Sequence, residues 1–90
     1  MYSGEIKPNL KRILNKISKK DKITYEQVLK KIEEVIRSPS KEHYKNLKHD
    51  MKEFKRVHIR GSFVLVFKID EKNELVSFED LQHHDKIYRR

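Results

Sequence analysis

Three ionisable side chains alternate along one short segment, and their spacing is typical of an anion-binding surface. Arg56, His58 and Arg60 are separated by Val57 and Ile59, so polar and apolar residues alternate with period two. Because successive side chains of a β-strand point to opposite faces, this pattern predicts a strand whose polar face carries all three. Such a face could bind phosphate groups and stabilise the negative charge of a transition state. A solvated strand surface is the alternative.

A second group of candidate residues lies near the C-terminus and comprises His83, His84 and Tyr88. An imidazole can exchange a proton near neutral pH, so His84 is a candidate acid or base and His83 its substitute. The Tyr88 ring can stack on a nucleobase and its hydroxyl can reach reacting groups, although it could equally pin the tail to the sheet. Adjacent histidines on extended chain point apart, and no further ligand has a suitable spacing. We therefore expect no metal site and no cofactor.

The charge of the chain favours an acidic partner. Its 22 Lys+Arg and 14 Asp+Glu give a net charge of +8. Residues 1–22 carry +5 and residues 41–60 carry +4, so two distant segments supply the basic excess. This distribution indicates a surface that binds nucleic acid or an acidic protein segment. The candidate RNA or ribosome contacts in the second segment are Lys45, Lys48, Lys52 and Lys55, each of which could also be an ordinary surface lysine.

Length and composition restrict the class of protein. Ninety residues suffice for one domain, which we expect to span residues 1–90. The absence of cysteine excludes disulfides and thiolate metal sites. No segment resembles a signal peptide or reaches the ~20 apolar residues of a membrane span, so we expect a cytoplasmic protein without a membrane partner.

The first half of the chain has the periodicity of two helices. Pro8 opens a stretch whose apolar residues recur at helical spacing, from Leu10 to Ile17. Thr24 and Gln27 form the pattern of a capping box at the start of a second helix. The sequence Ser-Pro-Ser at 38–40 ends that helix. These signals predict a helical hairpin.

The second half has the periodicity of strands. After the alternating segment at Val57, a turn at 61–62 leads to the wholly apolar stretch 63–67, which is typical of a central strand. A turn at 70–73 precedes a third strand at 74–78, and the region of Ile6 could add an edge strand. The predicted fold class is α+β: an N-terminal helical hairpin packed on a mainly antiparallel sheet of three to four strands.

The ordered set of segments resembles a known superfamily. After two helices come Lys-Asn-Leu-Lys at 45–48, Arg-Val-His-Ile at 56–59, Phe-Val-Leu-Val-Phe at 63–67 and His-His-Asp-Lys-Ile-Tyr at 83–88. This order is similar to that of the RelE/ParE toxins of toxin–antitoxin modules, whose motifs are K-x-L-K, R-[VI]-x-[VI], [YF]-x-L-[VI]-[YF] and H-[RH]-x-x-[IV]-Y. The resemblance covers nearly the whole chain.

The resemblance implies a function. RelE-like members cleave messenger RNA on the ribosome without a metal, through attack of the 2′-OH on the adjacent phosphate, and a RelB-like antitoxin neutralises them. The catalytic residues would be Arg56, His58, Arg60, His84 and Tyr88, with His83 among the RNA contacts. ParE-like members inhibit gyrase instead, and a non-catalytic RNA- or ribosome-binding module is a third reading.

One position departs from the pattern of the family. Many RelE-like enzymes carry arginine directly after the first aromatic residue of the central strand, where this chain has Val64. Another cation must then supply the charge, or catalysis is weaker or differently organised.

Overall fold

The computed structural model describes residues 2–39, 44–46 and 53–83. These residues form two helices and five strands, which are, in chain order, β1 (Ser3–Ile6), α1 (Pro8–Lys20), α2 (Lys22–Arg37), β2 (Lys45–Asn46), β3 (Lys55–Ile59), β4 (Phe63–Asp70) and β5 (Leu75–His83). The helical hairpin packs on one face of the sheet, so the predicted α+β class is confirmed.

Each helix begins at a residue suited to that place. Pro8 occupies the first turn of α1, where a missing N–H leaves no helical hydrogen bond unmade. The start of α2 differs from the prediction: the N-cap is Asp21, whose carboxylate accepts a hydrogen bond from the Thr24 amide at 3.1 Å. The predicted capping box at Thr24 and Gln27 is therefore wrong. Thr24 lies inside the helix and is buried, and the cap is three residues earlier.

The sheet has the strand order β1-β5-β4-β3-β2. The strands β2 to β5 pair antiparallel, whereas β1 runs parallel to β5 at the edge. The central position predicted for residues 63–67 is confirmed, because β4 has β3 on one side and β5 on the other. The region of Ile6 does form an edge strand. The two-residue strand β2 was not predicted, because two residues are too few to show a period.

The last strand is longer than the predicted 74–78 and reaches His83. A register shift between Val66 and Phe67 marks an irregularity in its pairing with β4. Phe78 and Leu81 both belong to the core although they are three residues apart. The extra residue breaks the period of two, so the alternating pattern no longer indicates a strand beyond this point.

The helices cover one face of the sheet, called here the inner face. Its core includes Leu65 and Phe67 of β4 and Phe78 of β5, packed against Leu10 and Val28 of the helices. The opposite, outer face carries the residues of β3 and β4 that alternate with these. Burial of several large apolar side chains on the inner face supplies most of the driving force for folding.

Candidate active site on the outer face of the sheet

The outer face is organised as cross-strand rows. His58 of β3 lies opposite Val64 of β4, which in turn lies opposite Gln82 of β5. In the next row Arg56 is the partner of Val66, which faces Asp80. Facing residues of neighbouring strands lie close enough for their side chains to interact. The rows therefore place Arg56 and His58 in line with Asp80 and Gln82 of β5, with a valine of β4 between the members of each pair.

The sheet surface opposite the helices is closed to solvent at its centre. Val64 is 0% exposed and Val66 is 3% exposed. Arg56 is half-buried and its Nε atom is inaccessible to solvent, whereas His58 is exposed. The arginine is thus held on a desolvated patch, where a positive charge acts more strongly on a nearby anion than it would in water.

Arg56 and His58 share the outer face, as predicted, but Arg60 does not join them. The strand ends at Ile59, and Arg60 has a left-handed backbone conformation with φ 55°, followed by Gly61 with φ 74°. Its Nη1 donates a hydrogen bond at 3.3 Å to Oγ1 of Thr24 on α2. The alternation that predicted one shared face ends with the strand, because the positive φ redirects the chain.

Arg60 completes a small polar network at the start of α2. The Thr24 hydroxyl donates to Oδ2 of Asp21 at 2.6 Å and accepts from Arg60. The hydrogen bonds from the Thr24 side chain and amide lower the pKa of Asp21, and the positive charge of Arg60 adds to this effect. The network ties the turn between β3 and β4 to the helical hairpin. Arg60 thus makes a structural contact at the hairpin, apart from Arg56 and His58, and its predicted role at a phosphate stays a prediction.

Lys55, a predicted RNA or ribosome contact, lies on β3 but on the opposite face from Arg56. Lys55 pairs with Phe67, a core residue, and its Nζ donates to the carbonyl oxygen of Tyr44 at 3.2 Å. Tyr44 is buried and packs edge-on against Phe67 with the ring centroids 5.4 Å apart. Lys55 therefore braces the segment that carries Tyr44 and does not share the face of Arg56.

His83 lies on the inner side of the sheet. It is the register partner of Phe63, and the two rings make an edge-on contact with centroids 5.6 Å apart. Phe63 packs against the core, so His83 is exposed at the inner edge of the sheet, on the face opposite to His58. The two histidines are therefore not part of one cluster.

Several candidates lie wholly or partly outside the described residues. For Lys45 the structure gives the backbone, which pairs with Arg56. The positions of Lys48, Lys52, His84 and Tyr88 lie outside the described ranges. Their predicted roles remain predictions.

Two polar residues of the outer face were missed by the sequence analysis. Gln82 shares the row of His58, and its Nε2 donates to Oδ2 of Asp80 at 2.5 Å. Asp80 also accepts a hydrogen bond at 3.0 Å from Asn9 at the start of α1. The signal that would have found them is the continuation of β5 beyond Phe78, which the broken period concealed.

An apolar groove of about 630 Å³ lies along the helical hairpin. Leu14 and Tyr25 contribute to its lining, together with Leu29, which is 39% exposed. The exposed side chains of Lys11 and Arg12 stand at its rim. An apolar floor with a basic rim suits an amphipathic segment that carries acidic residues.

The described part of the chain offers no cluster of three or more His, Asp or Glu side chains arranged to hold a metal ion. Neither α1 nor α2, the helices within residues 2–39, is long and apolar enough to cross a membrane.

Known proteins resemble both the sequence and the fold. The sequence model of the ParE toxin of type II toxin–antitoxin systems (parDE) matches residues 1–88. The candidate toxin RelE4 of Methanocaldococcus jannaschii is 53% identical over 90 residues, which cover 100% of this chain and 94% of that protein.

Two solved structures are similar in fold. The toxin–antitoxin complex RelBE2 of Mycobacterium tuberculosis contains a chain that matches with a TM-score of 0.76 and 19% identity, over 92% of this chain and 98% of that one. The isolated RelE toxin of E. coli matches with a TM-score of 0.72 and 20% identity, over 92% and 84% of the two chains. The sequence match and these folds agree with the resemblance seen in the sequence. The chain belongs to the ParE toxin family of type II toxin–antitoxin systems, within the RelE/ParE superfamily.

Proposed function

We propose that this toxin is a ribosome-dependent endoribonuclease that cleaves translated messenger RNA and so inhibits protein synthesis. The observation that carries the proposal is the outer face, where Arg56 is held on a desolvated patch beside the exposed imidazole of His58. A net charge of +8 supports an anionic substrate.

The reaction is an attack of the 2′-oxygen of one nucleotide on the adjacent phosphorus. The bond from the 2′-oxygen to phosphorus forms, the bond from phosphorus to the 5′-oxygen breaks, and the products are a 2′,3′-cyclic phosphate and a 5′-hydroxyl. The 2′-hydroxyl proton passes to a base and a proton is delivered to the departing 5′-oxygen. His58 is suited to one of these transfers, and Arg56 to stabilising the extra negative charge on the phosphate oxygens.

We infer that another cation of the same face replaces the family's strand arginine. Val64 lies between His58 and Gln82, at the centre of the outer face and fully buried. Val64 lies in the cross-strand row of His58, and Arg56 lies in the next row on the same face. A cation at position 64 would therefore be close to Arg56. In its absence Arg56 is the guanidinium that the described residues place on this face.

The candidates outside the described ranges complete the proposal. We expect His84 to take the second proton transfer and Tyr88 to orient the substrate by stacking on a base. Replacement of either residue by alanine should impair cleavage and leave folding and antitoxin binding intact. Lys48 and Lys52 would add salt-sensitive contacts to RNA or the ribosome.

The ribosome would supply the orientation that a small protein lacks. A chain of 90 residues has little room for a deep cleft that would align the 2′-oxygen, phosphorus and 5′-oxygen. Fixing such an arrangement can account for roughly 7–11 kcal/mol of a reaction barrier. We therefore expect purified toxin to cleave naked mRNA far more slowly than ribosome-bound mRNA.

We also propose a cognate RelB-like antitoxin as partner, in a cytoplasmic setting where translated mRNA is available. The groove of the helical hairpin, with Leu29 on its floor and Lys11 and Arg12 at its rim, fits an amphipathic acidic segment of such a protein. Co-expression of the toxin with the product of the neighbouring reading frame should yield a stable complex.

Inhibition of gyrase is the second candidate function, since the matching family model is that of ParE. A passive RNA- or ribosome-binding module is the third. Neither of these functions requires a proton-transfer group, so they leave the presence of His58 on the outer face unexplained.

Primer extension on mRNA from cells that express the toxin separates the three. The nuclease produces discrete cuts within translated frames. A gyrase inhibitor leaves mRNA intact and breaks chromosomes, and a binding module leaves both intact. A catalytically silent variant such as His58→Ala provides the matched control.

A further inference from the structure

The outer face continues beyond Arg56 into a pair of residues that no part of the proposed reaction uses. Phe54 directly precedes β3, and Lys68 follows Val66 by two residues on β4. The Nζ of Lys68 lies 5.0 Å from the centroid of the Phe54 ring. Lys55 pairs with Phe67 at the end of the β3–β4 ladder, so Phe54 and Lys68 both lie directly next to this last pair.

The contact with Lys68, which alternates with Phe67 on β4 and so lies on the outer face, places Phe54 on the side of Arg56 and His58. The three residues are two apart in sequence, so their side chains follow one another at about 7 Å along the strand. This is similar to the advance of an extended nucleic-acid strand from one nucleotide to the next. An RNA whose scissile phosphate lies at Arg56 would thus carry a neighbouring nucleotide to Phe54.

We propose that Phe54 and Lys68 form a nucleotide subsite beside the scissile phosphate, in which the ring stacks on the base and the ammonium group contacts the phosphate. This inference rests on the proposed nuclease function and adds the recognition of a flanking nucleotide to it. Aromatic side chains bind single-stranded nucleic acid in this way without selecting one base, because every base has a π-face. Phe54 is half-buried, so part of its ring is accessible.

When no RNA is bound, Lys68 forms an ion pair with Glu53. The Oε2 of Glu53 lies 3.8 Å from Nζ of Lys68, and the two side chains are 66% and 44% exposed. An exposed ion pair of this kind is weak, so an incoming phosphate can replace the carboxylate. In this state the ammonium group lies over the ring, and it moves aside to contact the phosphate when a base stacks there.

The test uses the full-length toxin and single-turnover cleavage on programmed ribosomes. The toxin concentration at half-maximal rate and the maximal rate are measured separately. Phe54→Leu, which keeps an apolar side chain without a π-face, should raise the half-saturating concentration about 5- to 150-fold, the range expected for one base–aromatic stack. Phe54→Tyr should restore the parental value, and the maximal rate should change much less than the half-saturating concentration.

A second experiment tests whether a base of the mRNA stacks on the Phe54 ring. The mRNA carries an abasic nucleotide at each position next to the cleavage site in turn, and at one of them Phe54→Leu should no longer differ from the parent. Lys68→Ala should reduce the slope of log affinity against log salt by about 0.7, the value for one phosphate contact in a single strand. Lys31→Ala on α2, whose ammonium pairs with Glu34, should leave the slope unchanged.

The outcomes separate the two proposals. If the parent toxin cleaves and Phe54→Leu has the parental half-saturating concentration, or if its defect persists on every abasic mRNA, the subsite is refuted and the nuclease stands. If the parent toxin cleaves no RNA, with or without ribosomes, both proposals fail.

Discussion

Alanine substitutions of two arginines four residues apart should have very different effects. Arg56 lies on the outer face beside His58, whereas Arg60 donates a hydrogen bond to Thr24 on the helical hairpin. We expect Arg56→Ala to slow single-turnover cleavage by about 10²- to 10³-fold, the range for loss of one charge-stabilising donor. Arg60→Ala should leave the rate of cleavage nearly unchanged, because the Arg60 guanidinium contacts the hairpin and not the outer face.

The expected effect of Arg60→Ala follows from the strength of its hydrogen bond to Thr24. A hydrogen bond at 3.3 Å from an exposed guanidinium to a hydroxyl contributes about 0.5–1.5 kcal/mol to stability. A small domain with roughly 5 kcal/mol of unfolding free energy would retain about 3.5 kcal/mol or more, so less than 1% of it would be unfolded. Loss of folded protein therefore cannot produce a large decrease in rate. Any such decrease would have to arise in the reaction itself.

Cleavage on programmed ribosomes measures the rates, and urea unfolding followed by circular dichroism measures the stabilities. Arg56→Lys is a useful intermediate, because it keeps the charge but not the planar fork of donors. If Arg60→Ala slows cleavage as much as Arg56→Ala while both remain folded, the assignment of Arg60 to the hairpin is mistaken. If Arg56→Ala cleaves at the parental rate, the outer face is not the active site.

Three further substitutions test other parts of the structure. Leu29→Asp places a carboxylate on the groove floor and should weaken the antitoxin complex by about 10-fold or more in calorimetric titration, with unchanged circular dichroism. Asp21→Asn removes a carboxylate whose pKa is lowered by hydrogen bonds from Thr24. In urea titrations the variant should be less stable than the parent near neutral pH. This difference should vanish as the pH falls below 3.8, because the parental carboxyl then becomes protonated. Gly4→Ala puts a Cβ against the Ile36 side chain and should lower the unfolding free energy by about 1–3 kcal/mol, part of which Ile36→Val restores.

The fold was largely predictable because most of its elements have a regular period. The apolar residues of α1 and α2 recur at helical spacing, and the wholly apolar segment of β4 has neighbours on both sides, as predicted. In two strands a local feature concealed the periodicity from which a strand is predicted. The irregularity beyond Phe78 concealed the end of β5, and the two residues of β2 were too few to show any period.

The candidate site was predictable only as far as strict alternation holds. It placed Arg56 and His58 on one face correctly, and it failed at Arg60, where the backbone becomes left-handed. The pairing of His58 through Val64 with Gln82 depends on contacts between distant segments, which the local pattern does not encode. The N-cap of α2 was misplaced for a different reason, because both Asp21 and Thr24 are good capping residues.

The parallel pairing of β1 with β5 also constrains when the toxin can mature during its own synthesis. Ser3 is the partner of Leu75, so the strand made first must wait for one that is made about seventy residues later. The helical hairpin depends on near neighbours and can form early, but closing so long a loop is slow. A nascent chain that has not yet reached Leu75 therefore lacks the strand that carries Gln82 and supports β4. The toxin therefore cannot complete its fold, and cannot act on a ribosome, until β5 has been synthesised.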